Sequence, residues 1–302
     1  MMCPAGFCLH RRRCSLPRSV YSSRDPRIAE RTACACPDFT ERPWFTFVTL
    51  RSSHANLQPF CVRAGLPPIG RPAGSLGREC ALMRHQMLSV SEARRFYDRF
   101  GARQDNQGFY EDKALDALVL ESGFDAAEHI LEIGCGTGKF AARLFEETLA
   151  GTAHYLGTDI SETMLGLARA RLKPWGNRAT VQPSDGGTDL SSLGAGFDRA
   201  VLTYVFDLMP EESIARLLSA IHGALRPGGQ ICIAGLTWGT GPASMVTSSI
   251  WNRVHALKPS LVGGCRPLDM SGFVTAPRWR IMHREVVVAM TVPSEVLVAE
   301  AL

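Results

Sequence analysis

The chain has no run of 18 or more apolar residues, so no segment of its 302 residues is long enough for a membrane-spanning helix. Lysine is absent from residues 1–86, where 13 Arg are set against only five acids, Asp25, Glu30, Asp38, Glu41 and Glu79. Residues 87–302 have the opposite balance, with 20 basic and 24 acidic side chains for a net −4. That balance lacks the basic excess that phosphate backbones call for and disfavours a nucleic-acid partner. Cysteine is also scarce after residue 86, where only Cys135, Cys232 and Cys265 occur. The other seven lie earlier, without the paired spacing of a zinc site, so no metal is expected.

Residues 1–86 lack apolar periodicity as well. Their Pro/Arg/Gly/Ser clusters, such as GLPPIGRPAGSLGREC at 65–80, argue for a disordered extension, and only WFTFVTL at 44–50 resembles a strand. The opening residues place Arg11, Arg12 and Arg13 after the weakly apolar stretch, the reverse of a secretory signal. A transit peptide, an arginine-rich tail and translated sequence upstream of a start at Met83 or Met87 all suit this composition, the last most simply. The expected organisation is an N-terminal extension over 1–86 and one domain over 87–302, in a cytoplasmic protein.

From residue 87 the pattern changes. Residues 87–124 read as one or two amphipathic helices with an aromatic-rich junction. Strand-like and helix-like segments then alternate: strands at 129–133, 154–159, about 179–182, 197–206 and 230–236, with helices at about 138–149, after Ser161, and across Ile214, Leu217, Leu218, Ile221 and Leu225. Such βαβα alternation implies a parallel sheet with helices on both faces. Two final strand-like segments, 279–290 and 294–302, have only Thr-Val-Pro between them, which permits a hairpin and no crossover helix. The predicted fold is a doubly wound, Rossmann-like, mainly parallel α/β sheet of seven strands ending in an antiparallel hairpin.

The turn after the first strand, HILEIGCGTGKF at 129–140, is rich in glycine but fails two phosphate-binding patterns. A P-loop needs glycine at position 133 and a hydroxyl at 140, where Ile133 and Phe140 stand. A dinucleotide fingerprint needs its third glycine one residue later, where Lys139 stands. What remains is Glu132-x-Gly134-x-Gly136-x-Gly138. It resembles motif I of class I S-adenosylmethionine-dependent methyltransferases, and Asp159, SDG at 184–186 and LRPGG at 225–229 resemble further motifs of that family. The resemblance spans about residues 90–302.

It implies S-adenosylmethionine as cofactor. Backbone N–H groups at the helix start would meet its carboxylate, and Glu132 would order the loop and face its ammonium. Asp159 would hold both ribose hydroxyls with its two acceptor oxygens. Cys135, Ile160, Met164, Asp185, Gly186, Thr203 and Tyr204 complete the implied set. For Met164, Thr203 and Tyr204 plain core packing is the competing reading, and for Asp185 an ordinary surface turn.

The family's acceptor pocket is implied to lie between residues 93–112 and 237–276. Tyr97, Phe100, Tyr110 and Arg266 are the substrate-binding candidates. His255 is the one general-base candidate, against an ordinary structural histidine. Cys265 reads as a small buried side chain. No Asn-Pro-Pro-Tyr-like tetrad follows the fourth strand, where TYVFDL stands instead. The layout resembles small-molecule methyltransferases related to the ubiquinone and menaquinone C-methyltransferases. An RNA or protein methyltransferase, or a cofactor-binding homologue without turnover, remains the alternative.

Overall fold

Ser89 sets the first helix. Its side chain takes the Glu92 N–H at 3.3 Å while the Glu92 carboxylate takes the Ser89 N–H at 2.9 Å, a reciprocal cap that starts α1 at Val90–Phe100. A 3-10 stretch, Gly101–Gln107, leads into α2, Gly108–Glu121. These elements open a computed structural model that describes residues 87–302; the extension expected over 1–86, with its strand at 44–50, lies outside the described residues.

The chain then runs β1 (His129–Ile133), α3 (Lys139–Glu147), β2 (His154–Asp159), α4 (Glu162–Leu172), β3 (Ala179–Pro183) and β4 (Phe197–Thr203). It continues through α5 (Glu211–Ala224), β5 (Leu225–Leu236), α6 (Pro242–Leu257), β6 (Trp279–Ala289) and β7 (Val292–Ala301). One seven-stranded sheet results, in the order β3-β2-β1-β4-β5-β7-β6. Strands β1 to β5 are parallel, and β7 lies antiparallel between β5 and β6. The expected doubly wound α/β architecture with a closing hairpin is the one observed.

Side chains alternate between two cores with the period of two that a strand imposes. Ile130, Val201, Cys232 and Val298 join a core with Leu118, Phe140, Leu144 and Leu165 from α2, α3 and α4. Their neighbours Leu131, Leu202, Ile231 and Leu297 join the opposite core, against Ile214, Leu217 and Ile221 of α5. Both faces of the central strands are therefore covered, as a parallel sheet requires.

Three boundaries differ from expectation. The fourth strand, expected over 197–206, ends at Thr203, where Tyr204 leaves extended geometry with φ 55°. The hairpin turn is Met290-Thr291, with φ of 49° and 68°, and Pro293 already pairs with Val288 in the ladder. A two-residue loop with positive φ at both positions matches the twist of antiparallel strands, and that fit outweighs proline's tendency to sit in the turn. Leu225, assigned by its spacing to α5, instead opens β5 with φ −74° and ψ 147°. The Arg226-Pro227 pair pulls the chain out of helical geometry just before it.

Arg199 on β4 ties the helical layer to the sheet. Its guanidinium donates to the carbonyls of Ser122 at 2.7 Å, Gly123 at 2.9 Å and Asp198 at 2.9 Å, with 9% of the residue exposed. Truncation would leave those carbonyls without a donor. Arg199→Ala is expected to lower unfolding stability by about 1.5–3 kcal/mol, read from urea denaturation, with α2 loosened first.

Candidate active site

A cavity of about 390 Å³ opens at the C-terminal ends of the parallel strands, where open α/β sheets hold their ligands. The glycine loop lines its floor through Gly134, Cys135 and Gly136. The loop is tied to β2 by the Gly134 and Cys135 N–H groups, which donate to Thr158 O at 2.7 and 2.9 Å. Gly136 has φ +50°, and a Cβ placed there would meet no protein atom within 4 Å. It therefore presents bare backbone to the cavity. Gly138 does not line the cavity; a Cβ there would come within 3.1 Å of Ala168, so this glycine lets α3 pack against α4.

Asp159 closes β2 and braces the loop. Its Oδ2 accepts the Gly136 N–H at 2.8 Å and its Oδ1 accepts the Ser161 N–H at 2.8 Å. The Ile160 N–H also bonds this carboxylate, whose acceptor positions still outnumber these three donors, and the residue lines the cavity. Ser161 caps α4 by accepting the Met164 N–H at 3.2 Å, and Met164 itself is both buried and cavity-lining. Ile160 and Gly186 also line the cavity, whereas Asp185 turns outward into solvent. Its Oδ1 takes the Gly187 N–H at 2.7 Å, the surface turn that was the competing reading. Ser184 and Gly187 stand at the cavity in its place.

Glu132 lies beneath the loop, almost fully buried, and accepts the Tyr155 hydroxyl at 2.6 Å. Burial pushes its carboxyl up to about 8; the Tyr155 hydrogen bond opposes this and the Asp159 charge adds to it. Burial likewise raises the Asp159 carboxyl above the usual carboxylate range. At the end of β4, Thr203 and Tyr204 both line the cavity. Tyr204 has φ 55°, rare for an aromatic side chain, and its hydroxyl shares a 2.9 Å hydrogen bond with Ser294 Oγ. Strain of this kind persists only where surrounding contacts enforce it.

The N-terminal segment roofs the cavity. Arg171 donates to Asp105 at 2.6 Å, and the Thr137 hydroxyl donates to the same carboxylate at 2.6 Å, pinning the 3-10 stretch to the glycine loop. Asp98 takes the Ser161 hydroxyl at 2.6 Å, and Lys139 pairs with Asp112 at 2.8 Å. Of the expected acceptor residues, Tyr97 and Tyr110 line the cavity, and Tyr110 meets Tyr204 edge-on with centroids 5.7 Å apart. Three others stand elsewhere. Phe100 stacks on Phe96, 5.5 Å away. Arg266 is buried and donates to Met209 O at 3.0 Å, holding the loop that follows the 3-10 turn Pro259–Val262 instead of facing the cavity. His255 is fully buried, its Nε2 3.1 Å from Gly264 O, and does not line the cavity. All three serve packing in this structure because neighbouring backbone carbonyls or rings claim them first.

Several cavity residues have no signature in the sequence. Gln104, Glu111 and Lys139 line the cavity, and Glu111 Oε1 and Gln104 Oε1 are buried with no donor among the described residues. Burial raises the Glu111 carboxyl to about 7. Asp207, behind Cys265, is also buried and pushed up to about 7. An acidic residue in an amphipathic helix reads as a solvent-facing position; only the roof's placement over the sheet turns Glu111 inward.

Residues 130–229 match a family model described as a methyltransferase domain. A demethylmenaquinone methyltransferase of Symbiobacterium thermophilum is 33% identical over 38% of this chain and 46% of its own length. A ubiquinone biosynthesis O-methyltransferase of Aromatoleum aromaticum is 30% identical over 39% of this chain and 47% of its own. The chain thus spans less than half the length of these relatives. An O-methyltransferase family protein from Burkholderia thailandensis shares the fold at a TM-score of 0.57, with 14% identity over 74% of this chain and 67% of its own. The glycine loop, the braced acid at the end of β2 and the sheet order agree with the match of residues 130–229 to the methyltransferase-domain model.

Proposed function

We propose that this protein transfers the methyl group of S-adenosylmethionine to a small organic acceptor by in-line displacement. The observation that carries the reading is a single cavity lined both by the glycine loop and Asp159 and by Tyr97, Tyr110, Glu111 and Tyr204. Donor and acceptor groups can therefore meet within one enclosure. Holding two reactants in line, with water excluded, contributes up to about 7–11 kcal/mol to such a reaction in favourable cases.

The residues present fit the cofactor. The bare backbone at Gly136 leaves room for a ligand against the loop. The spare lone pairs of Asp159 suit ribose hydroxyls. Gln104 Oε1, buried without a donor and next to the loop-bound Asp105, suits the ammonium together with Glu132. When bound, the cofactor supplies a methyl group on a positively charged sulfur. The chain's own part is to orient and to exclude water: Arg171, Asp98 and Lys139 hold the roof down, while Leu88, Leu208 and Met209 line an apolar acceptor end with the three tyrosines. A flat, mostly apolar acceptor fits that lining, in keeping with the quinone-related names of the relatives.

Calorimetric titration of the full chain with S-adenosylmethionine and its demethylated product, with NAD as control, tests the reading. Micromolar binding of the first two and none of NAD is expected; a folded protein that binds neither refutes it. Asp159→Ala is expected to weaken cofactor binding by about 1.5–3 kcal/mol, the value of hydrogen bonds to a charged acceptor. Unchanged affinity in the folded variant would remove Asp159 from the ribose.

A further inference from the structure

We infer that Glu111 is the acceptor-facing catalytic residue, binding a hydroxyl-bearing acceptor through Glu111 Oε1 and receiving its proton as the methyl group arrives. The inference rests on the proposed methyl transfer and adds the acceptor's functional group and the residue that recognises it.

Three observations meet at this side chain. Glu111 lines the cavity, and its Oε1 is buried with no donor in hydrogen-bond geometry among the described residues, although the Tyr110 hydroxyl lies close enough to favour the charged carboxylate. A buried acceptor left without a donor costs about 1–3 kcal/mol, and a ligand hydroxyl would recover it. The residue also stands at the acceptor end: Tyr110 adjoins it in α2, Tyr110 meets Tyr204 at 5.7 Å, and Tyr204 ends β4 in a left-handed conformation beside the cavity. Gln104, the other donor-less oxygen, is instead next to Asp105, which is bonded to the glycine loop. Glu111 is set apart from Gln104 by its neighbours Tyr204 and Cys265, which lie beyond the end of β4.

The chemistry balances. The acceptor O–H bond breaks and its proton bonds to Glu111 Oε1. The oxygen's electron pair forms the new O–CH3 bond as the S–CH3 bond breaks, its electrons staying on sulfur. A phenolic hydroxyl titrates near 10 in water, so a base held close to neutrality is matched to the task. Burial places Glu111 at about 7, with Tyr110 and Lys139 favouring its charged form and Asp207 and Asp112 opposing it. Tyr204 and Cys265 also face it. None of these neighbours supplies a second cavity-lining carboxyl without a donor among the described residues.

The test uses 2-naphthol and its methyl ether, 2-methoxynaphthalene, as paired probes that share the ring and differ in the O–H donor, titrated fluorimetrically into the full chain with and without the demethylated cofactor. The wild type is expected to prefer the naphthol about tenfold at about pH 8.5 and less at about pH 5.5, as the carboxylate is lost. Glu111→Gln and Glu111→Leu, with folding checked by circular dichroism, are expected to bring the preference within about twofold and to flatten its pH dependence. A wild type without hydroxyl preference, or a preference that survives both substitutions, overturns the inference. Failure of the demethylated cofactor to bind would refute the methyl-transfer reading instead, and the probe titrations on the cofactor-free protein would still decide the role of Glu111.

Discussion

Gly136→Val is expected to abolish calorimetrically detectable S-adenosylmethionine binding while leaving a folded sheet. Position 136 has φ +50°, and its Cβ would point into space that no protein atom occupies within 4 Å. Valine adds a branched side chain directly into the cavity lined by the same loop. The left-handed conformation adds about 1–2 kcal/mol of backbone strain, more for a β-branched residue, which a domain of this size tolerates. Occlusion of the ligand's own position has no such relief, because the loop is anchored by the Thr158 carbonyl and the Asp159 carboxylate. A loss of about 100-fold or more in affinity follows from about 3 kcal/mol of lost contact. Gly136→Ala should be intermediate. Binding by the valine variant within threefold of wild type, roughly 0.6 kcal/mol, would mean that the ligand does not rest on this loop.

The second expected result concerns pH. Glu132, Glu111 and Asp207 are buried carboxyls raised to about 8, about 7 and about 7. Each binds its proton more tightly in the folded than in the unfolded chain, so between the ordinary value and the raised one the folded state carries more protons. Stability then falls as pH rises, with the decline spread between about pH 4.5 and 8. The protein should be most stable near pH 5 and soften toward pH 8.5, opposite to proteins whose carboxylates are stabilised by ion pairs. Glu132→Gln isolates one contribution. The amide oxygen can still accept the Tyr155 hydroxyl, while the desolvated charge is gone. Thermal and urea unfolding should show the variant on the order of 2 kcal/mol more stable than wild type at pH 8.5, and no more stable at pH 5. That figure is below the full shift because the amide N–H groups need acceptors of their own. Cofactor affinity should fall in the same variant, a gain in stability at the expense of a strained site. Equal pH slopes for the two proteins would show that Glu132 is ionised at no energetic cost.

Much of this molecule is decided locally and was therefore legible in the sequence. The strand at 154–159 is a short segment with Tyr155, Leu156 and Thr158 that no helical spacing organises, and the cap at Ser161 follows from a hydroxyl placed three residues before the Met164 N–H. The parallel sheet follows from the strand–helix alternation and the closing hairpin from the short link before residue 294, whereas the order of the strands came only with the structure. The Gly134-x-Gly136-x-Gly138 loop is legible for the same reason, since it needs positive φ at three positions and only glycine adopts it readily.

Tertiary structure decided what approaches from far along the chain. Asp185 and Asp159 are both acids at strand ends, yet one folds onto its own Gly187 N–H and the other spans to Gly136. His255 and Arg266, marked by residue type as catalytic or binding candidates, are held by nearby backbone carbonyls away from the cavity. Glu111, without any signature, is carried over the strand ends by the roof that Asp98, Asp105 and Asp112 pin down. The sequence by itself determined a doubly wound sheet and a glycine loop suited to S-adenosylmethionine, because periodicity and glycine's freedom act over a few residues. Which carboxyls lose their water and face the cavity was settled only by packing, because desolvation depends on every element that closes around a side chain.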